Sequence, residues 1–522
     1  MANTPEHKFA LPATAGGYDF FIECPSFSAR TKMVLVDARS FRFSLGEDEV
    51  KQAPEPGGRH AAAIHFEGGQ PHMMDIVLDR IQRHGDEWDI TAHFADDHGH
   101  EAFWMALWHW HHQRSGGLHV RPVTTPSLPG KELDTEAAKD ERIKFLQERT
   151  GASLDLVANT RLAPEMLRHN IESLIGEVPV PVGVVGPLLL RRNNLVEEIY
   201  VPFATTEGAL VASATRGAVA LSRSGGACAY ALEQRVTRTP SFKLPCVSDA
   251  LFFLAWIEAN FESIRARTRR VSKHAMLLSI QPELFGRQIH LHFIYQTGDA
   301  AGQNMVTACT WHACGWILYA IGQFPGISVK DFYVDASLSC DKRISSRAFT
   351  QGRGVRVTAE AMLSGDVIRS VLKIEPARLL ETYRYWTTVF QAAGNVSGGL
   401  NVANTIAAIF TATGQDIASV HESSVAVFYL EESGDDDVYI SMTLPNLVIG
   451  TVGGGTGLPY QQQCLELMGC VGDHKVARLA EIIAAAAMGL DLSLLSAMAG
   501  GHFAQAHERM GRNRPVESAA TL

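Results

Sequence analysis

Short apolar runs split by Gly, Pro and Asp occupy the first hundred residues: Phe20-Phe21-Ile22-Glu23-Cys24, Met33-Val34-Leu35-Val36, Ala62-Ala63-Ile64-His65-Phe66, and the stretch from Trp88 to Phe94. Runs of this length predict strands, so 1–119 reads as an N-terminal β-rich domain ending in a helix from Glu101 to His112. The Pro-, Thr- and Gly-rich stretch 120–135 reads as a linker. From Val236 the rhythm changes. An extended segment (241–247), an apolar helix pattern (251–264), two β-like runs (275–280 and 288–295), a second helix pattern (302–323) and a last extended run (329–334) follow in turn. That is the β-α-β-β-α-β order of a ferredoxin-like unit, spanning 236–344. The Gly-, Ala- and Val-rich flanks, 136–235 and 345–507, read as one large, mostly helical domain into which that unit is inserted. The uncharged run from Asn404 to Gly414 predicts a helix apolar on every side, hence a central buried one. Residues 508–522 read as a flexible C-terminal tail. The expected class is α+β.

Composition narrows the function. The chain has 522 residues, 46% apolar and 20% charged, as for a globular protein with a large core. A net charge of −10 speaks against nucleic acid as partner. No apolar run reads as a membrane span and no signal-peptide pattern opens the chain, so a cytoplasmic protein without a membrane partner is expected. The eight cysteines form no CxxC pair, which fits scattered thiols in a reducing compartment. His93, His98, His100, His109, His111 and His112 are dense but lack a metal-site spacing, and no metal is expected.

Candidate chemistry begins at Glu207, the one charge in Pro202-Phe203-Ala204-Thr205-Thr206-Glu207-Gly208-Ala209-Leu210-Val211-Ala212-Ser213. A poorly solvated carboxyl there favours its protonated form and suits a proton donor; a buried structural carboxyl paired with Arg216 is the other reading. Gly450-Thr451-Val452-Gly453-Gly454-Gly455-Thr456-Gly457 lets backbone N–H groups approach phosphate, or is a tight turn. Thr297-Gly298-Asp299-Ala300-Ala301-Gly302-Gln303-Asn304-Met305 opens a helix; Asp299 suits ribose hydroxyls or caps that helix. Arg265, Arg267, Arg269, Arg270 and Lys273 form either a solvated face or a phosphate site. Ser339-Cys340-Asp341-Lys342-Arg343 offers a lysine suited to a developing oxyanion, or is a surface loop. Asp416, after the uncharged helix, needs a cationic partner. His502 and His507 are about 140° apart on a helix, poor for one metal and better for a single acid.

Taken in order, these segments resemble the 3-hydroxy-3-methylglutaryl-CoA (HMG-CoA) reductase family over about 140–514, together with Glu172-Ser173-Leu174-Ile175-Gly176 and Pro179-Val180-Pro181-Val182-Gly183. The detail is more similar to the eukaryotic and archaeal, NADPH-using branch than to the bacterial NADH-using one. The resemblance implies four-electron reduction of (S)-HMG-CoA to mevalonate and CoA with two NADPH, through a hemithioacetal and an aldehyde. It implies that Lys342 stabilises the oxyanion, Glu207 donates the proton, Asp416 tunes the pair, and His507 protonates the CoA thiolate. Arg216, Arg238, Arg343, Arg384 and Asn404 are the implied substrate-binding positions. Ser272, Lys273, Asp299, Gly302, Asn304, Gly453, Gly454 and Gly455 are the implied cofactor-binding ones. Lys273 stands where the NADPH branch has arginine, keeping the charge that favours NADPH over NADH. A homodimer or homotetramer with sites at the dimer interface is implied as well.

The chain departs from the family pattern at Asp335-Ala336-Ser337-Leu338-Ser339-Cys340, where the family has Ser-Gly-Asn-Tyr-Cys-Thr, at Asn401 (His in the family), at Ser173 (Asn) and at Arg384 (Lys). An aspartate at 335 is expected to repel a substrate carboxylate. Asp335 and Asn401 motivate a second reading, reduction of a different acyl-CoA, and a third is a non-catalytic nucleotide- or CoA-binding sensor. The N-terminal part faintly resembles a PilZ-type barrel without its dinucleotide-binding signatures, and reads as an interaction or dimerisation module.

Overall fold

The computed structural model describes residues 20–23, 30–35, 40–46, 55–66, 72–96, 99, 103, 126–192, 195–324, 327–434 and 436–501. In the N-terminal part, β1 (Phe20–Glu23), β2 (Arg30–Leu35), β3 (Ser40–Gly46), β4 (Arg59–Phe66), β5 (His72–His84) and β6 (Glu87–Phe94) form a closed antiparallel barrel in the order β1-β2-β3-β6-β5-β4. Period-two alternation puts Phe41, Phe43 and Leu45 of β3 and Met74, Ile76 and Leu78 of β5 inside it. The sequence reading lacked β3 and β5 because charges such as Arg42, Asp75 and Asp79 interrupt their apolar residues on the outward face. The helix expected over 101–112 lies outside the described residues apart from Phe103. Of the clustered histidines only His93 is described, and its Nδ1 lies 2.7 Å from Asp79. Among the described residues no His/Cys/Asp/Glu group is arranged to hold a metal ion.

The remainder is built on one ten-stranded sheet. Along the chain come α1 (Glu136–Thr150), β7 (Val182–Arg192), β8 (Leu195–Ala204), α2 (Leu210–Arg223), β9 (Ala227–Arg238), β10 (Ser241–Lys243), α3 (Val247–Ala259), α4 (Phe261–Val271), β11 (Met276–Phe285), β12 (Gln288–Gln296), α5 (Gln303–Ile321), β13 (Asp331–Tyr333), β14 (Gly354–Leu363), α6 (Pro376–Ala392), α7 (Val402–Thr413), β15 (Val427–Ser433), β16 (Asp437–Leu447), α8 (Pro459–Leu467) and α9 (Val476–Ala499). The sheet order is β13-β10-β12-β9-β14-β16-β15, with β11 on the free edge of β12 and the β7–β8 hairpin joined through β7 to β9. Strand β9 spans two halves: Cys228 to Arg235 pair with β14, and Val236 to Arg238 with β12. Each half has its own apolar core, one around α9 and β14–β16, the other around α5 and β12.

The region read as mostly helical contains the long strands β7, β8, β9, β14, β15 and β16, so it is mixed helix and sheet. The helix expected over 251–264 is two helices, α3 and α4, broken at Asn260, whose amide turns back to the Trp256 carbonyl at 2.8 Å. Helix α9 is long and apolar enough to cross a membrane by length and composition, contrary to the sequence reading, but most of it is buried inside the protein. It is also a longer buried helix than α7, which had been expected to be the central one. Helices α2 and α9 touch backbone to backbone: a Cβ on Gly217 would lie 1.8 Å from the Gly489 carbonyl oxygen. Within the stretch read as linker, the Gly130 and Leu133 carbonyls accept from the fully buried Arg142 of α1, which also donates to the Leu174 carbonyl.

Candidate active site

Strand β8 ends at Ala204, and the Thr205 hydroxyl accepts the Glu207 N–H at 3.0 Å, so the chain turns before α2 begins. Glu207 projects from this loop into solvent, not into the dry surroundings expected from its neighbours. The amide of Asn404, in the first turn of α7, donates to both its carboxylate oxygens at 3.2 and 3.0 Å. Arg216 is not its partner. The Arg216 guanidinium donates to the hydroxyl and carbonyl of Ser493 on α9, at 3.0 and 2.5 Å, and burial lowers its pKa.

A second pair lies at the far end of α7. Lys342 Nζ is 2.8 Å from Asp416, the cationic partner that position calls for. The other oxygen of Asp416 accepts the Ala418 N–H at 3.1 Å, which fixes the carboxylate. Lys342 has φ +56°, a left-handed conformation costly for a residue with a Cβ. Both of its peptide groups are held: the N–H donates to Glu422 at 3.1 Å, and the carbonyl lies 3.2 Å from His421 Nδ1, which donates in its Nδ1–H tautomer. Beneath lies a buried network. Glu422 is fully buried, and burial pushes it up to about 7 even though Arg353 Nε lies 3.1 Å away. Arg353 also bonds Asp341, which accepts from Arg238 at 3.2 Å. Burial pushes the Asp341 carboxyl up, but Arg353 and Arg238 outweigh it and hold it below its ordinary value. Arg238 bonds Asp335 in turn, and Asp335 accepts from the Ser337 N–H at 2.8 Å and the Ser339 hydroxyl at 2.7 Å. The repulsive charge expected at Asp335 is thus shared with Arg238, and the Arg238 guanidinium is taken up by two carboxylates.

Three glycine-bearing loops converge beside Asp416. The Gln415 amide exchanges two hydrogen bonds with the Gly450 backbone, at 2.8 and 2.9 Å. A Cβ on Gly414 would lie 2.4 Å from the Gly455 carbonyl oxygen. The Asp299 carbonyl accepts the Thr451 N–H at 2.7 Å, and Gln303 donates to Ser419 at 3.0 Å. The Asp299 carboxylate itself accepts the N–H groups of His474 (2.6 Å) and Val476 (3.0 Å), so it caps α9 instead of its own helix. Gly453 and Gly454 have φ of +80° and +58°, and a Cβ on either would meet nothing within 4 Å, which leaves an open stretch of backbone. The Thr451 hydroxyl beside it is buried without a partner among the described residues. Ser272 packs its hydroxyl 3.0 Å from the Met305 sulfur, which brings Ser272 to the first turn of α5, the turn that holds Asn304 and follows Gly302.

The structure therefore groups Glu207 with Asn404, Lys342 with Asp416, and the Asp299 loop that opens α5 with the glycine loop at 450–455. It does not gather the expected coupled set within one chain: among the described residues no hydrogen bond or ion pair joins Glu207 to Lys342 or Asp416. Asn404 lies in the first turn of α7 and Asp416 just past its last, and the twelve residues of that helix span about 18 Å at 1.5 Å per residue. Arg343 and Arg384 are exposed, and neither side chain has an ion pair among the described residues. His507 lies outside the described residues. Sequence reasoning missed Glu422, Arg353 and Asp491. The available signal was a lone charge in an uncharged stretch, as Asp491 is among residues 482–499.

The sequence profile described as hydroxymethylglutaryl-coenzyme A reductase matches residues 138–512. The chain belongs to the HMG-CoA reductase family. It is 38% identical to the 3-hydroxy-3-methylglutaryl-coenzyme A reductase of Methanocaldococcus jannaschii, over 75% of this chain and 96% of that one. It is 42% identical to the Aeropyrum pernix reductase, over 73% and 91%. Rice reductase 1 is 39% identical, over 77% of each chain. Among solved structures, the class II HMG-CoA reductase of Streptococcus pneumoniae, determined with NADPH, superposes with a TM-score of 0.52 at 17% identity, covering 69% of this chain and 96% of that one. That likeness is one of fold. The family match places this chain among oxidoreductases, and the barrel lies outside the matched region.

Proposed function

We propose that this chain reduces (S)-HMG-CoA to mevalonate and CoA with two NADPH. The observation that carries the reading is the Lys342–Asp416 pair, braced through the Lys342 backbone and set beside the glycine loops. Lys342 is the charge for the developing oxyanion, Asp416 orients it, Glu207 delivers the proton to the aldehyde oxygen with its carboxyl set by Asn404, and His507 protonates the departing thiolate. Asn404 and the exposed Arg343 and Arg384 are read as the substrate side, whereas Arg216 is engaged by Ser493 and Arg238 by Asp335 and Asp341.

NADPH supplies the hydrides when bound. The residues present fit it: the open backbone of Gly453 and Gly454 for phosphate, the orphan Thr451 hydroxyl beside them, and Lys273 with Ser272 for a 2′-phosphate. Residues 236–344 are read as the cofactor unit, and the order β13-β10-β12-β11 supports a ferredoxin-like arrangement there.

The separation of the two pairs along α7 supports a site shared between two copies, Glu207 and Asn404 from one chain meeting Lys342 and Asp416 from the other. The exposure of Glu207 in a single chain agrees, since a second copy would remove it from water. A second reading, reduction of another acyl-CoA, is favoured by one observation: Arg238 is occupied by Asp335 and not open to a substrate carboxylate. A panel of acyl-CoA thioesters assayed by NADPH consumption separates the two. Highest kcat/KM for HMG-CoA supports the main reading, and a clear preference for another acid replaces it with the second.

A further inference from the structure

Asp491 is a fully buried carboxylate on α9 with no part in the chemistry above. Its two oxygens accept the backbone N–H groups of Leu400 and Asn401, at 2.8 and 2.7 Å. Those residues lead into α7, where N–H groups have no partner within the helix and a negative charge meets the positive end of the helix dipole. In the next turn Asn404 reaches Glu207. Just beyond Asp491, the Ser493 hydroxyl lies 2.9 Å from that of Ser213 and accepts from Arg216 at 3.0 Å. Both partners belong to α2, the helix that follows the Glu207 loop. One short stretch of α9 thus holds both segments that present the Glu207–Asn404 pair. A buried carboxylate is costly and is retained only with strong hydrogen-bond donors, and here the donors are the entry to α7.

We propose that Asp491 is a positioning residue: it fixes the start of α7 so that the Asn404 amide keeps both of its bonds to Glu207. The inference rests on the reading of Glu207 as the proton donor. Burial pushes Asp491 up to about 7, against the two N–H groups of Leu400 and Asn401, which favour its charged form.

The test is a double-mutant cycle on the full chain, with kcat and KM measured for HMG-CoA and NADPH. Asp491→Asn is expected to lower kcat about 10- to 100-fold, the scale of a 1 Å misplacement, with KM for NADPH unchanged. In the Asn404→Ala background the same substitution is expected to cost less than about two-fold more, because residues acting through one contact are not additive. Full multiplicativity overturns the proposal, as does a change confined to KM. Should Asp491→Asn fail to fold by circular dichroism, Asp491→Ser, a smaller polar side chain that cannot hold both N–H groups, carries the same cycle. Hydrogen exchange across 400–407 gives a readout without turnover: faster exchange in the Asp491 variant and not in Glu207→Gln is expected, and unchanged exchange overturns the proposal. Glu207→Gln separates the two ideas. If it retains full kcat, the role given to Glu207 fails whatever the exchange data show; if it is dead and the cycle is multiplicative, only the positioning role fails.

Discussion

The Asn404 amide spans both oxygens of Glu207, at 3.2 and 3.0 Å, from the opposite end of the helix that leads to Asp416. One helix therefore carries Asn404 in its first turn and leads to Asp416 just past its end. Removing the amide leaves the carboxyl free to rotate. Asn404→Ala is expected to lower kcat about ten-fold or more with NADPH binding intact, and steady-state kinetics against both substrates checks it.

If the halves come from different copies, two dead variants can restore each other. Glu207→Gln and Lys342→Ala are each expected to be inactive. Co-refolded in equal amounts, random pairing leaves one intact site in half of the dimers, or about a quarter of wild-type activity. No recovery in a mixture shown to contain hybrid dimers would place the whole site in one chain.

In the proposed reading Lys273, next to Ser272, is the point charge for a 2′-phosphate. Lys273→Glu is expected to raise KM for NADPH about ten-fold or more while leaving KM for NADH nearly unchanged, since a like charge repels the phosphate. Equal effects on both cofactors would remove Lys273 from the phosphate contact.

Burial raises Asp491 from 3.8 to about 7 and Glu422 from 4.5 to about 7. Between about pH 4 and 7 the folded chain then holds protons that the unfolded chain has released. Their contribution to stability is complete below the unfolded values and is lost as pH rises through about 7. The stability advantage of wild type over Asp491→Asn is therefore expected to shrink from pH 4 to 7 in urea unfolding; a constant difference would contradict it.

Much of this was legible from residue order alone. The chemistry-bearing motifs are local in sequence, so Glu207, Lys342, Asp416 and the glycine loops stood out before any geometry. What was hidden depends on distant contacts. Asp299 looked like a cap for its own helix, yet its carboxylate serves His474 and Val476. Asp335 looked repulsive because its partner, Arg238, lies on another strand. Glu207 looked dry because small and apolar neighbours in sequence are not its neighbours in space. The strands β7 and β14 carry Gly or Ala within them, where tertiary pairing and not propensity decides the conformation, whereas the alternation of β16 from Val438 to Leu444 was a strand signal that the reading of that region as helical passed over.

The most direct measurement follows NADPH absorbance while the purified chain turns over HMG-CoA, with mevalonate and free thiol quantified at the end point. Two NADPH are expected to be consumed for each mevalonate and each CoA released, with no turnover in Lys342→Ala. A folded, NADPH-binding chain that forms no mevalonate from HMG-CoA would contradict it.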